Sequence, residues 1–160
     1  MNEDEINQIL LQDIIHKKIN FVGVFSRTRI PITSTFPAGY IINLDNFGSE
    51  GIHWIGVYVT EKYINIFDSF GGNFLNDSFF SAFLRSYQNK RKIVSSQNVI
   101  QNINSSTCGL YSILFILILS RGFRLNQFVN LFNFKNTKCN DLAIVQFFSE
   151  MLNKNFSYLL

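Results

Sequence analysis

Residues 98–122 read NVIQNINSSTCGLYSILFILILSRG, a polar segment that turns at Cys108 into a nearly unbroken apolar block. From Leu110 to Leu119 the block is interrupted only by Tyr111 and Ser112. It is about half as long as the roughly 20 residues needed to span a bilayer, so it reads as a helix buried at the centre of a domain. Ser105, Ser106 and Thr107 are of the type that caps helix N-termini, and Gly122 after Arg121 supplies a stop. One of only two cysteines stands at this junction. A thiol there can be half of a disulfide, a metal ligand, a small core residue or a nucleophile, and the rest of the chain has to choose.

A length of 160 residues suits one domain, 1–160, with enough chain to bury a core without disulfides or metals. The 47% hydrophobic and 16% aromatic content supports a compact fold. A net charge of +3 is too mild to require nucleic acid as a partner. Lys17-Lys18, Arg27, Arg29 and the run Lys90-Arg91-Lys92 read first as solvated surface, with contact to an acidic partner as the alternative. Cys108 and Cys139 form no disulfide framework, and without a CxxC or Cys/His cluster no metal is expected. Cys139 reads as structural. The acidic start MNEDEINQILLQ lacks the apolar stretch of a signal peptide, and no membrane association is expected. Abundant Asn, Ile, Phe and Lys fit an AT-rich coding sequence.

Ile6, Ile9, Leu10 and Ile14 recur at helical spacing behind Asp and Glu, which predicts an amphipathic helix over 3–18 ending near His16. The segment from Phe21 holds both prolines, and the expectation is extended, irregular chain until GYIINLD (39–45), a short buried strand. IHWIGVYVTEKYINIFDSFGG (52–72) places two β-branched and aromatic runs on either side of Thr60-Glu61-Lys62, the pattern of an antiparallel hairpin. Leu75, Phe79, Phe80, Phe83, Leu84 and Tyr87 share one face of a helix over 74–89. KIVSSQNVIQ (92–101) reads as a further strand, and Asn140-Asp141 as the cap of a closing helix that carries Leu142, Val145, Phe148 and Leu152. Strands and helices are mixed without strict alternation, so the fold class is α+β: a small central sheet flanked by helices.

The hairpin carries the chemistry. If it turns about Glu61-Lys62, His53 lies opposite Phe70 and Ile55 opposite Asp68, which makes His53 and Asp68 diagonal neighbours on one face, roughly 7–8 Å apart along the backbone. A slip by one residue would send them to opposite faces. A carboxylate beside a histidine fixes one tautomer and stabilises the imidazolium, leaving the other ring nitrogen free to act as a base. A satisfied core histidine is the competing reading. Cys108, in turn, stands at the start of the buried helix, where the dipole favours the thiolate and free N–H groups can bind a developing oxyanion; a packed core cysteine is the alternative. Gly109 allows close approach of substrate. Gln101, seven positions before Cys108, could add a second oxyanion donor, a role worth about 3–4 kcal/mol in known sites, or could be a solvated loop residue.

Taken together, GIHWIGVYV (51–59), YINIFDSFGG (63–72) and QNINSSTCGL (101–110) resemble the adenovirus-type cysteine endopeptidases, the adenains, a group related to the ubiquitin-like-protein-specific cysteine proteases. The interval from Gln to Cys matches that family, and the segment before His53 and the closing helix are similar to it as well. The resemblance implies Cys108 as nucleophile, His53 as general base and then acid, Asp68 as the orienting carboxylate, and Gln101 with the Cys108 backbone N–H as oxyanion donors. Trp54 would pack beside the histidine. It also implies papain-like active-site geometry in permuted chain order, His before Cys, with no cofactor required. Adenains are activated by a peptide disulfide-linked upstream of the Gln, and here NKRKIVSSQNVIQ (89–101) has no cysteine, so no such linkage is expected. They are also stimulated by DNA, which would meet Lys90, Arg91 and Lys92. The function implied is a monomeric viral maturation protease that cleaves capsid precursor proteins after Gly-Gly or Gly-Xaa-Gly motifs, acting in the virion and the reducing interior of the host cell. The composition suits a virophage or a related double-jelly-roll virus or transposon. Three alternatives remain: a ubiquitin-like-protein isopeptidase with the same residues, an acyltransferase using the same thiol, and a non-catalytic capsid or DNA-binding component.

Overall fold

The computed structural model describes residues 1–10, 20–44, 53–72, 78–88 and 90–160, with only the backbone of Phe79 and Gln88. The elements run in the order α1 (Glu3–Leu10), β1 (Phe21–Ser26), β2 (Ala38–Asn43), β3 (Trp54–Val59), β4 (Tyr63–Phe67), α2 (Ser78–Gln88), β5 (Lys92–Ser95), α3 (Cys108–Ser120), α4 (Leu125–Val129) and α5 (Thr137–Leu152), closed by a 3-10 turn at Ser157–Leu159. The five strands form one sheet in sequence order, with β2, β3 and β4 antiparallel and the outer strands β1 and β5 each parallel to its neighbour. This is the expected α+β fold with a central sheet between helices.

Both sheet faces are covered, which is why β2 and β3 are buried along their whole length and, Asn43 apart, do not alternate with polar residues. Trp54, Tyr58, Ile41 and Phe67 face a core built on α1, α3, α4 and α5. Tyr40, Ile42, Ile55, Val57 and Ile66 face a second core closed by Phe80, Phe83, Leu84 and Tyr87 of α2. The centre of the larger core is α3, apolar all round as predicted, with residues such as Ile113 and Phe115 fully buried. It lies close on the sheet because Gly56 has no side chain: a Cβ there would stand 2.4 Å from the Phe115 ring. The hydroxyl of Ser112 donates to the Trp54 carbonyl at 3.2 Å, fixing the second turn of α3 to the start of β3.

Two expectations change. Phe21–Ser26 is a strand, although the neighbouring prolines suggest irregular chain; its register breaks between Phe21 and Gly23. The closing helix is capped by Asn136, whose side chain accepts from the Cys139 N–H, and Asn140 and Asp141 lie buried inside it. Helix α2 is described from Ser78, and α1 to Leu10; His16 and the remainder of the 3–18 helix, and Leu75, lie outside the described residues. Among the described residues no helix is long and apolar enough to cross a membrane, and no cluster of His, Cys, Asp and Glu could hold a metal.

Candidate active site

The register of the hairpin decides the site. Gly56 pairs with Phe67 and Val59 with Ile64, the pairing that brings His53 and Asp68 to one face just beyond the ladder. His53 Nε2 and Asp68 Oδ1 are 2.6 Å apart, and the rings of His53 and Phe70 lie 5.0 Å apart. Asp68 is only 2% exposed, so its charge needs partners. Among the described residues these are His53, the Phe70 N–H donating to Oδ1 at 2.9 Å, and the Gly72 N–H donating to Oδ2 at 2.7 Å. Gly71 makes this turn at φ +69° while the Gln97 carbonyl oxygen stands 2.6 Å from where a Cβ would be, so a larger residue is excluded twice.

The His53 side chain is 18% exposed. Its other ring nitrogen, Nδ1, is buried and has no hydrogen bond of its own. Burial opposes charge on this ring, yet the bond to Asp68, the neighbouring Cys108 thiol and the negative charge of both groups outweigh it and push the pKa from 6.5 up to about 9. Because Asp68 occupies Nε2, Nδ1 is the ring nitrogen left for the neighbouring Cys108 thiol. Cys108 opens α3 and is 4% exposed. The N-cap residue Thr107 makes no side-chain bond to the first turn of the helix, so the N–H groups at that end are not closed off by a cap. Thiol, imidazole and carboxylate are thus arranged in the order needed for proton transfer from sulfur to a ring that a carboxylate orients.

Gln101 is 1% exposed and sits in the wall between the Asp68 turn and Cys108. Its Oε1 accepts from the Ser69 hydroxyl at 2.6 Å, and its Nε2 donates to the Ser105 carbonyl at 2.9 Å and to the Ser105 hydroxyl at 3.3 Å. The amide is oriented, with its donors held on the loop before Cys108. Trp54 is buried beside His53 and its indole N–H donates to the Met1 carbonyl at 3.1 Å. Gly109 faces the same residue, since a Cβ on it would stand 2.5 Å from Met1 Sδ.

Arg91 is committed to the fold: Nε donates to the Thr60 carbonyl at 2.6 Å and the guanidinium lies 4.0 Å over the Phe36 ring. That leaves Lys90 and Lys92, both exposed, as the solvent-facing members of the basic run. Cys139 is exposed, and no disulfide joins it to Cys108. Sequence reasoning placed Phe70 opposite His53 but missed Ser69, which follows Asp68 directly and orients Gln101.

Residues 39–154 match the Ulp1 protease family, C-terminal catalytic domain. Among curated proteins none matches the chain in sequence. Several solved structures are similar, two of them as follows. The central domain of the uncharacterized Lpg1148 protein from Legionella pneumophila has a TM-score of 0.52 at 14% identity, covering 91% of this chain and 98% of that one. The selenomethionine crystal structure of the ASFV pS273R protease has a TM-score of 0.49 at 17% identity, covering 62% of this chain and 42% of that one. The chain therefore spans less than half the length of the ASFV protein. At 14% identity the likeness to the Legionella domain speaks to fold alone, whereas the sequence match spans His53, Asp68, Gln101 and Cys108 and well more than half of the residues: the chain belongs to the Ulp1 protease family of cysteine peptidases.

Proposed function

We propose that residues 1–160 act as a single-domain thiol endopeptidase that processes viral capsid precursor proteins after Gly-Gly or Gly-Xaa-Gly motifs. The observation that carries the peptidase chemistry is the buried contact of His53 with Asp68, which leaves Nδ1 free on the side of Cys108. His53 takes the thiol proton, and the Cys108 sulfur bonds to the scissile carbonyl carbon. The oxyanion rests on the Cys108 backbone N–H and on a Gln101 N–H released from Ser105. The imidazolium gives its proton to the departing amine as the C–N bond breaks, and a water molecule, deprotonated by His53, then hydrolyses the thioester and restores the thiol.

Support for glycine at the cleavage site comes from the recessed nucleophile. A thiol only 4% exposed beside a buried Trp54 is reached by a thin stretch of backbone more readily than by one carrying side chains. The interval of seven from Gln101 to Cys108, shared with the adenains, supports the capsid reading, with a virophage or related double-jelly-roll element as source. In that setting the enzyme works as a monomer in the virion and host-cell interior, needs no cofactor or disulfide-linked peptide, and meets DNA through Lys90 and Lys92. Membership in the Ulp1 family favours a second reading, an isopeptidase acting on ubiquitin-like conjugates with the same residues.

A fluorogenic Gly-Gly peptide, folded ubiquitin-like conjugates and co-expressed capsid precursors are assayed with the wild-type chain and Cys108→Ala. Peptide and capsid cleavage lost in the variant is the expected result. Cleavage of folded conjugates alone would replace the capsid reading by the isopeptidase one. Capsid processing that survives Cys108→Ala, with Cys108 alkylated no faster than a free thiol, would overturn the peptidase.

A further inference from the structure

Asp141 is a carboxylate with 1% exposure, in the second turn of α5, that the chemistry above does not use. Its partners stand at the two ends of one loop. Oδ2 accepts the backbone N–H of Asn102 at 3.0 Å, directly after Gln101. Oδ1 accepts the Thr107 hydroxyl at 3.1 Å, directly before Cys108, and the Tyr111 hydroxyl at 2.8 Å, one turn into α3. Its neighbour Asn140 adds a third hold, donating from Nδ2 to the Ile100 carbonyl at 2.9 Å. The segment that separates the oxyanion amide from the nucleophile is therefore tied at both ends to a single side chain of the closing helix.

The bond to Thr107 has a second effect. A threonine at a helix N-cap ordinarily turns its oxygen onto the first-turn N–H groups. Here the hydroxyl donates to Asp141 and makes no bond to those groups, so the cap residue leaves them open. A carboxylate two bonds away from this task by hydrogen bonding, and out of reach of substrate, can act only by holding other groups in place.

We propose that Asp141 is a positioning residue for the oxyanion wall: it fixes the loop between Gln101 and Cys108 and keeps the Thr107 hydroxyl from capping the nucleophile helix. The inference rests on the cysteine-peptidase reading. An asparagine at 141 can keep the Asn102 N–H through its one oxygen only by turning its NH2 towards the Thr107 and Tyr111 hydroxyls, which then lose their charged acceptor and must turn round to accept, so the Thr107 end is held by a weaker, reoriented bond. Displacement of a catalytic group by 1 Å costs about 10²-fold in rate, and loss of an oxyanion donor about 10²–10³-fold.

The test compares wild type, Asp141→Asn and Thr107→Val in two assays on folded protein: turnover of the Gly-Gly peptide, and alkylation of Cys108 by iodoacetamide, which needs the thiolate and no oxyanion. Asp141→Asn is expected to lower kcat about 10–100-fold with KM nearly unchanged and alkylation not slowed. Gln101→Ala should then cost much less in the Asp141→Asn background than in wild type. Thr107→Val, which removes one of the bonds and leaves the carboxylate in place, should show the same split to a smaller degree, and it decides the matter if Asp141→Asn does not fold. Unchanged kcat in the folded variants, or kcat and alkylation falling together, would overturn the positioning role while leaving the peptidase intact. A wild-type chain inert in both assays would overturn the peptidase reading and this inference with it.

Discussion

Replacing Asp68 by Asn keeps the size of the side chain and removes its charge, so it isolates what the carboxylate does for His53. The lift of the His53 pKa from 6.5 to about 9 corresponds to roughly 3 kcal/mol in favour of the imidazolium. Burial is the largest influence and acts against it, while Asp68 contributes more than Cys108 by both hydrogen bonding and charge. The order of effects is therefore fixed: Asp68→Asn should lower the pKa further than Cys108→Ala does, and the double variant should titrate below 6.5 because burial then acts unopposed. Titration of ring 13C-labelled histidine by NMR reads this directly, with His16→Gln assigning the only other histidine. The same shift appears as stability. A raised folded-state pKa means that the native protein holds a proton the unfolded chain has lost, so the contribution is fully present below pH 6.5 and disappears as pH rises through about 9. Urea unfolding of the wild type should weaken by up to about 3 kcal/mol across that window, and Asp68→Asn should flatten the slope. In turnover, kcat should fall by up to about 10⁴-fold, the loss seen when the triad aspartate of a serine protease is replaced by asparagine. A His53 that still titrates near 9 in Asp68→Asn, or that responds more to loss of Cys108, would refute the assignment of the carboxylate as the source.

Further outcomes follow from single contacts. Gln101→Ala should reduce kcat about 10²-fold while leaving Cys108 alkylation unchanged; parallel losses would show that Gln101 only supports the loop. Gly56→Ala forces a methyl to within 2.4 Å of the Phe115 ring and should destabilise the fold by about 1–3 kcal/mol in urea melts, the usual range for overpacking. Arg91→Ala, which loses the bond to Thr60 and the stacking on Phe36, should lower thermal stability without changing the salt dependence of DNA association, whereas Lys90→Ala and Lys92→Ala should each reduce the salt slope by about 1 if DNA binds there.

The site was legible where a short-range rule fixes it. Side-chain parity in a hairpin is set by the position of its turn, so Thr60-Glu61-Lys62 sufficed to place His53 beside Asp68, and the apolar block after Cys108 could only be a buried helix. Where several residues could do the same local job, the sequence was ambiguous. Asn136 and Asn140 both stand near the start of α5, both are competent caps, and the choice between them depends on the Ile100 carbonyl and the Asn133 backbone, which Asn140 bonds instead. Strand β1 was hidden for a similar reason: only the neighbouring strand β2 makes a strand of a segment that begins with a register break at Gly23. Asp141 was the least legible of all, because its partner Asn102 is separated from it by 39 positions and no local pattern marks the pairing.

Ser69 joins the two halves of the site. It follows Asp68 in the turn, its carbonyl accepts the N–H groups of Ile100 and Gln101 at 2.9 and 3.2 Å, and its hydroxyl donates to Gln101 Oε1. Asp68, which bonds His53, and Gln101, the proposed oxyanion donor, are thus held by adjacent residues of one turn. Asp68 is fixed by the N–H groups of Phe70 and Gly72, and Gln101 by Ser69, so neither relies on the exposed surface for its position. On the other side Asp141 holds the loop that runs on to Cys108. Displacement of the Asp68 turn therefore carries the Gln101 amide with it through Ser69, so the His53–Asp68 pair and the loop that runs on to Cys108 stay in register through one turn and its hydrogen bonds.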